Sequence, residues 1–66
     1  MANEWQDQLR IEAVETNARL EHLCNFIDGG IYPGMTPIDK HLVVEQRNAL
    51  SNYLGALLSR IQNFDE

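Results

Sequence analysis

Two tyrosines and four polar side chains are the residues of this chain best suited to bind a small anion. Three of them surround a segment rich in glycine and proline, namely Tyr32, Thr36 and Lys40. Threonine followed by proline is typical of a helix start, where outward-pointing backbone N–H groups attract phosphate. Arg47 lies seven residues beyond Lys40, so both cations would project along nearly one line of that helix. Because an aromatic ring beside a cation is a common means of holding a nucleotide, the pattern predicts a site for a small phosphate-bearing nucleotide.

The same segment also has a purely structural interpretation. Asp39 would cap the helix start and Lys40 would be solvated. Tyr32 would close the end of a helical bundle together with Ile31 and Met35. Taken alone, the residues favour this structural interpretation over the binding site.

A second polar line runs through Gln46, Tyr53 and Arg60, which recur at steps of seven residues. In one interpretation, Tyr53 and Arg60 form a shelf for a ligand between copies of the chain. In the other, Gln46 and Asn17 form a buried polar layer that fixes the register of the helices, and Tyr53 fills the core. Arg60 would then pair with acidic residues near the chain ends. The pattern favours the structural role for Gln46 and Asn17 and leaves Arg60 open.

Two long segments flank the bend and must position these side chains. Apolar residues recur at helical spacing in both, which predicts a helix over about residues 4–28, a bend over 29–36 and a second helix over about 37–64. Because the bend is short, the helices must lie antiparallel, and Trp5 should pack near Phe64. The predicted stripe of the first helix is Trp5, Leu9, Ala13, Leu20, Leu23 or Cys24, and Ile27. The predicted stripe of the second is Leu42, Gln46, Ala49 or Leu50, Tyr53, Leu57, Ile61 and Phe64.

The helix ends carry their own signals. Asn3 precedes the first helix as its N-cap. Gly29 and Gly30 follow that helix and would end it in the left-handed conformation, which glycine adopts at little cost.

Size and composition predict that the hairpin does not act as a single copy. A chain of 66 residues has a marginal core, and Cys24 is its only cysteine, so no disulfide within the chain can reinforce it. Ile11, Val14 and Ala18 form a second apolar stripe on the first helix. We therefore expect an all-α, antiparallel two-helix hairpin that assembles into a helical-bundle homo-oligomer, either a dimer of hairpins or a higher assembly such as a hexamer.

Charge and the remaining residue types narrow the function classes. A net charge of −5 argues against partners that are DNA or RNA polymers and against anionic membranes. His22, His41 and Cys24 do not form a metal-binding pattern, and no residues predict a cofactor. No pairing resembles a nucleophile with its base, so an enzyme is not expected. A lone cysteine in a chain without a signal peptide or membrane span predicts the cytosol.

Part of the chain resembles a known group of proteins. The resemblance covers roughly residues 19–62 and is carried by Leu23, Phe26, Ile27, Tyr32, Met35, Leu42, Gln46, Leu50, Tyr53, Leu57, Arg60 and Ile61. This pattern resembles that of small phage-encoded helical-hairpin proteins, and its shape is similar to the hairpin domain of the phage anti-CBASS and anti-Thoeris sponges. The resemblance implies a symmetric oligomer in the host cytosol that sequesters a cyclic nucleotide signal of bacterial immunity without cleaving it. It also implies a tyrosine that stacks on a base and polar residues that hold phosphates, drawn from Tyr32 or Tyr53, Thr36, Lys40, and Arg47 or Arg60.

A different function class remains open. The spare apolar stripe would also suit a non-enzymatic interaction protein that covers a host or phage protein through an exposed helix face.

Overall fold

A computed structural model describes residues 3–65, and these form two long helices joined by a short bend. Helix α1 is Glu4–Ile27 and helix α2 is Pro37–Gln62. A single 3₁₀ turn, Tyr32–Gly34, lies inside the bend, and a second, Asn63–Asp65, follows α2. The described residues contain no strand, which confirms the all-α class with two helices.

The helix ends follow the predicted signals only in part. Thr36 caps α2, because its Oγ1 accepts the Asp39 N–H at 3.3 Å. Asn3 stands at the cap position of α1, where its backbone carbonyl accepts two hydrogen bonds but its side chain does not cap the helix. The prediction of a left-handed glycine after α1 was wrong, since no described glycine has a positive φ. Gly29 instead leaves space, as a Cβ there would lie 3.3 Å from the Asn25 carbonyl oxygen.

The helices pack along a thin seam. Within the described residues the buried apolar side chains are Leu9, Ala13 and Leu57, and Leu57 is only 1% exposed. Thr16 is buried beside them at 2% exposure. Because so few side chains leave water, the hydrophobic stabilisation of one hairpin is small.

The open end of the hairpin is closed by aromatic packing. Trp5 and Phe64 meet edge to face, with ring centres 5.3 Å apart and an interplanar angle of 88°. This contact confirms the predicted neighbourhood of the two rings and the antiparallel arrangement. The Arg10 guanidinium lies 4.9 Å from the centre of the Phe64 ring on the same end.

The predicted stripe of α2 was wrong at three positions. Leu42 is 54% exposed, and Gln46 and Tyr53 are exposed as well. With Val44 half-buried beside it, the buried and half-buried line of α2 is instead Lys40, Val43, Arg47, Leu50, Leu54, Leu57 and Ile61, and it continues to Phe64 in the turn that follows. These residues alternate steps of three and four, the spacing that keeps one line of a helix against an antiparallel partner. The buried polar layer predicted for Asn17 and Gln46 is also wrong, because both are exposed in the hairpin.

The hairpin is a rod. Its principal extents are 51 × 15 × 13 Å and its radius of gyration is 15.2 Å. A compact domain of this length would have a radius of gyration of about 11 Å. Within residues 3–65, neither helix has a stretch long and apolar enough to cross a membrane.

Candidate functional site

The bend places an aromatic ring beside a cation. Tyr32 opens the 3₁₀ turn, and the Met35 N–H closes that turn by donating to the Tyr32 carbonyl at 3.1 Å. Lys40 lies in the first turns of α2, and its Nζ is 5.6 Å from the centre of the Tyr32 ring. Such a contact is worth about 0.5–1 kcal/mol at an exposed site. Since both side chains are half-buried, the ring and the charge are held together before any ligand arrives.

The start of α2 offers an anion fewer backbone donors than the sequence predicts. Pro37 has no N–H, and the Asp39 N–H is donated to Thr36. The Lys40 N–H is donated to the Thr36 carbonyl at 3.0 Å. Within the described residues, only the Ile38 N–H of this turn lacks a partner. Thr36 therefore acts as a cap, and attraction for phosphate at this end depends mainly on the Lys40 ammonium.

Arg47 supplies a second cation on the same helix. It is half-buried on the seam, about 10 Å along α2 from Lys40 by the helix rise. Its Nε and Nη2 donate to Asn48 Oδ1 at 3.4 and 3.2 Å. Because an amide carries no charge, and no ion pair to Arg47 is found among the described residues, the full charge of Arg47 remains available.

A different side of the hairpin carries a ladder of polar and aromatic residues. We call it the polar side, and it consists of Trp5, Glu12 and Arg19 on α1 and Gln46, Tyr53 and Arg60 on α2. Each set recurs at steps of seven, so each follows one line of its helix. The two lines meet where Tyr53 Oη donates to Glu12 Oε2 at 2.5 Å, the one hydrogen bond between side chains of the two helices within the described residues.

The Tyr53–Glu12 contact has an electrostatic consequence. Donation of the Tyr53 hydroxyl to the Glu12 carboxylate raises the pKa of Tyr53, and desolvation and the negative charge of Glu12 act in the same direction. The positive charge of Arg60 opposes them. Tyr53 is thus held as a neutral donor whose ring remains accessible on the polar side.

Two open grooves flank this contact along the polar side. The larger has a volume of about 520 Å³ and is lined by Ala18, Arg19, His22, Leu23, Gln46 and Leu50. The smaller, of about 390 Å³, lies at the open end and is lined by Trp5, Gln6, Arg60, Asn63 and Phe64. Both volumes fall in the range of small-molecule sites, about 300–1,000 Å³, although both grooves are open to solvent. One arginine lines each groove, so both can accept an anionic group.

Comparison with known proteins identifies the family. A family model described as Sequestin matches residues 3–63, which span both helices and the bend. The chain belongs to the Sequestin family. Comparison with curated proteins and with solved structures gave no match. The family name suggests that a Sequestin sequesters another molecule.

In this Sequestin, the six residues predicted to bind a ligand form two separate groups. Tyr32, Thr36 and Lys40 lie together at the bend, with Arg47 about two turns further along the same helix line. Tyr53 and Arg60 lie on the polar side, towards the open end. Lys40 and Arg60 are twenty residues apart on α2, a separation of about 30 Å. One hairpin therefore does not bring all six into one pocket.

Sequence reasoning missed the α1 half of the polar side. Glu12 and Arg19 were not singled out, although they share their step of seven with Trp5. When the chain is folded at the bend, Glu12 falls at the level of Tyr53, as the hydrogen bond shows. The signal was present in the matching periods of the two helices, but it becomes visible only once the register is known.

Proposed function

We propose that this Sequestin is a phage-encoded immune-evasion protein that binds a cyclic nucleotide signal and holds it without cleaving it. The observation that carries the proposal is the Lys40 ammonium placed 5.6 Å from the Tyr32 ring centre, in a family whose name suggests sequestration. The protein would act in the host cytosol, as an assembly of hairpins, with no enzyme activity and no cofactor.

The chemistry of a cyclic nucleotide suits the bend. Each nucleotide offers a flat base, which can stack on the Tyr32 ring, and a phosphate, which Lys40 and Arg47 can pair with. Two cations on one helix line suit two or three phosphates better than a long polyanion. The overall charge of −5 acts in the same sense, because it disfavours nucleic acid polymers while leaving this local positive strip.

Sequestration requires affinity, and one hairpin offers few walls. A dissociation constant of about 1 μM corresponds to about −8 kcal/mol. Small-molecule pockets bury about 70–90% of the surface of a drug-sized ligand. A rod about 15 Å across cannot enclose a cyclic dinucleotide, so the proposal places the ligand where copies of the hairpin meet.

Calorimetry of the full chain tests the proposal. The titrants are cyclic dinucleotides, a cyclic trinucleotide and cyclic ADP-ribose, and the ligand recovered after denaturation should be intact by chromatography. We expect saturable heat with at least one of them. Lys40→Ala and Arg47→Ala should each weaken binding about tenfold or more, since a hydrogen bond to a charged group is worth about 1.5–3 kcal/mol. No heat with any titrant, or recovery of a cleaved product, would refute the proposal.

The same titration locates the pocket. Tyr53→Phe and Arg60→Ala should weaken binding only if the ligand lies on the polar side at the open end. Asn52→Ala, an exposed polar change on α2 outside both groups, is the control, and its affinity should stay within about twofold of the wild type.

A second candidate function is favoured by the exposed apolar residues of the rod. Leu58, Val14 and Ile11 are all exposed although they are large and apolar. They would let the hairpin cover a host or phage protein. A co-purifying nucleotide, visible in the ultraviolet spectrum of the fresh protein, supports sequestration. A stoichiometric protein partner with no nucleotide would support the interaction function.

A further inference from the structure

One side of the hairpin presents apolar residues from both helices, of which three are exposed and one, Leu54, is half-buried against the core. We call it the apolar side and define it by Ile11, Val14, Leu54 and Leu58. Val14 is 71% exposed, the largest exposed fraction among the large apolar side chains described. Two shallow grooves share Val14: one of about 240 Å³ that also contacts Leu54 and Leu58, and one of about 340 Å³ that also contacts Ile11.

The hairpin exposes more surface than a compact protein of its mass. The hairpin exposes 5083 Å². A compact protein of 7.6 kDa exposes about 4,300 Å². The excess is about 800 Å², which is the share that one partner buries in a standard protein–protein interface. The rod therefore exposes more surface than a self-sufficient domain of its mass, by about the area that one partner contributes to an interface.

The local charge of the apolar side suits a second copy of the same chain. Two identical chains of net charge −5 repel each other wherever acidic surfaces meet. The groove around Ile11 and Val14 is flanked by one base, Arg10, and one acid, Glu15. An isologous contact places a surface against itself, so Arg10 of one copy can face Glu15 of the other.

We infer that two copies of the hairpin pair through the apolar side, antiparallel about a two-fold axis near Val14. Val14 lies near the middle of α1, ten residues from Glu4 and thirteen from Ile27. An axis at this level aligns the bend of one copy with the open end of its partner. The rod then becomes a four-helix bundle in which Val14 and Leu58 leave water.

This pairing bears on the site at the bend, and that part of the inference rests on the proposed function. Arg47 lies seven residues before Leu54, and Lys40 lies seven before Arg47, so both continue the line of α2 that Leu54 brings to the apolar side. The open-end half of the partner would stand beside them and form the second wall of the cleft. The nucleotide site would be incomplete in one hairpin.

Sedimentation of the full chain without any nucleotide tests the pairing independently of ligand binding. We expect the mass of two chains, or an even multiple, at micromolar concentration. Val14→Glu should raise the dissociation constant about a hundredfold or more, because it buries two like charges beside the axis. Because Val14 is exposed in the single hairpin, the Val14→Glu variant should keep the helical circular dichroism signal of the wild type. Leu42→Glu is the matched control, since Leu42 is an exposed leucine away from the apolar side. The sedimentation mass of this variant should equal that of the wild type.

A cross-link tests the axis itself. In a Cys24→Ser background, Val14→Cys should form a disulfide between copies, because a disulfide requires Cα atoms within about 7 Å of each other. Leu42→Cys should not. Three results would overturn the inference. The wild type could be a monomer, Val14→Glu and Leu42→Glu could have equal effects, or a protein partner could occupy this side in place of a second copy. If the copies pair but Val14→Glu binds nucleotide as the wild type does, the shared cleft is wrong, while the pairing and the proposed function stand.

Discussion

Replacement of Leu57 by alanine should remove a large part of the stability of the hairpin. Leu57 is 1% exposed, and within the described residues it shares the core with two other buried apolar side chains, Leu9 and Ala13. Leucine-to-alanine changes in cores cost about 2–5 kcal/mol, which combines lost burial with the cavity that remains. A folded chain of this length is stable by about 3–10 kcal/mol. The loss is therefore comparable to the whole stability of a weak hairpin.

The assay is urea unfolding followed by far-ultraviolet circular dichroism, at two protein concentrations tenfold apart so that association is seen. Leu42→Ala is the control, because Leu42 is 54% exposed and its change should stay within about 0.5 kcal/mol. Leu57→Ala should also lower the melting temperature by about 8 °C or more. Equal losses of stability for the two variants would contradict the burial of Leu57 in the seam and would mean that α2 presents a different face to α1.

Three further predictions concern single residues. Thr36→Ala should lower the free energy of unfolding in urea by about 1 kcal/mol, because it removes the cap of α2. Ser59→Ala is the control, because Ser59 is exposed and its replacement should lower that free energy much less. Equal losses would contradict the capping role of Thr36. Gly55→Ala should stabilise the protein by about 0.5–1 kcal/mol, since nothing lies within 4 Å of an added Cβ, and a loss would mean that another chain occupies that space. Glu12→Gln should lower the raised pKa of Tyr53 towards its ordinary value of 10.0, measured by phenolate absorbance with Tyr53→Phe to assign the signal. Because that pKa is raised on folding, the contact stabilises the protein below pH 10.0 and is lost as pH rises through the folded value; an unchanged titration would contradict the contact.

The fold was predictable because both helix signals and the bend are local. Folding two segments of similar length at one bend leaves Trp5 no neighbour other than the end of α2, and the Phe64 contact follows. The rotation of α2 was not predictable in the same way. Tyr53 and Leu54 are adjacent and both have apolar bodies, so either can face the seam on sequence pattern alone. In the structure Leu54 packs against the core, and Tyr53 faces the polar side, where its hydroxyl donates a hydrogen bond to Glu12.

The candidate site was predictable in its residue types and not in its geometry. The pairing of Lys40 with Tyr32 follows from their places on either side of a helix start. The backbone donors expected there are mostly used, because Thr36 takes two N–H groups and Pro37 has none. Glu12 escaped notice because its partner is 41 residues away, and only the register of the hairpin brings the two together.

The edge-to-face contact of Trp5 and Phe64 gives this protein an internal optical probe. The chain contains one tryptophan, and that tryptophan closes the end of the rod farthest from the bend. Its fluorescence therefore reports fraying of the helix tips and is insensitive to events around Tyr32. During unfolding, the tryptophan emission would report separation of the helices at the open end of the hairpin. Far-ultraviolet circular dichroism would report separately the loss of the helices themselves.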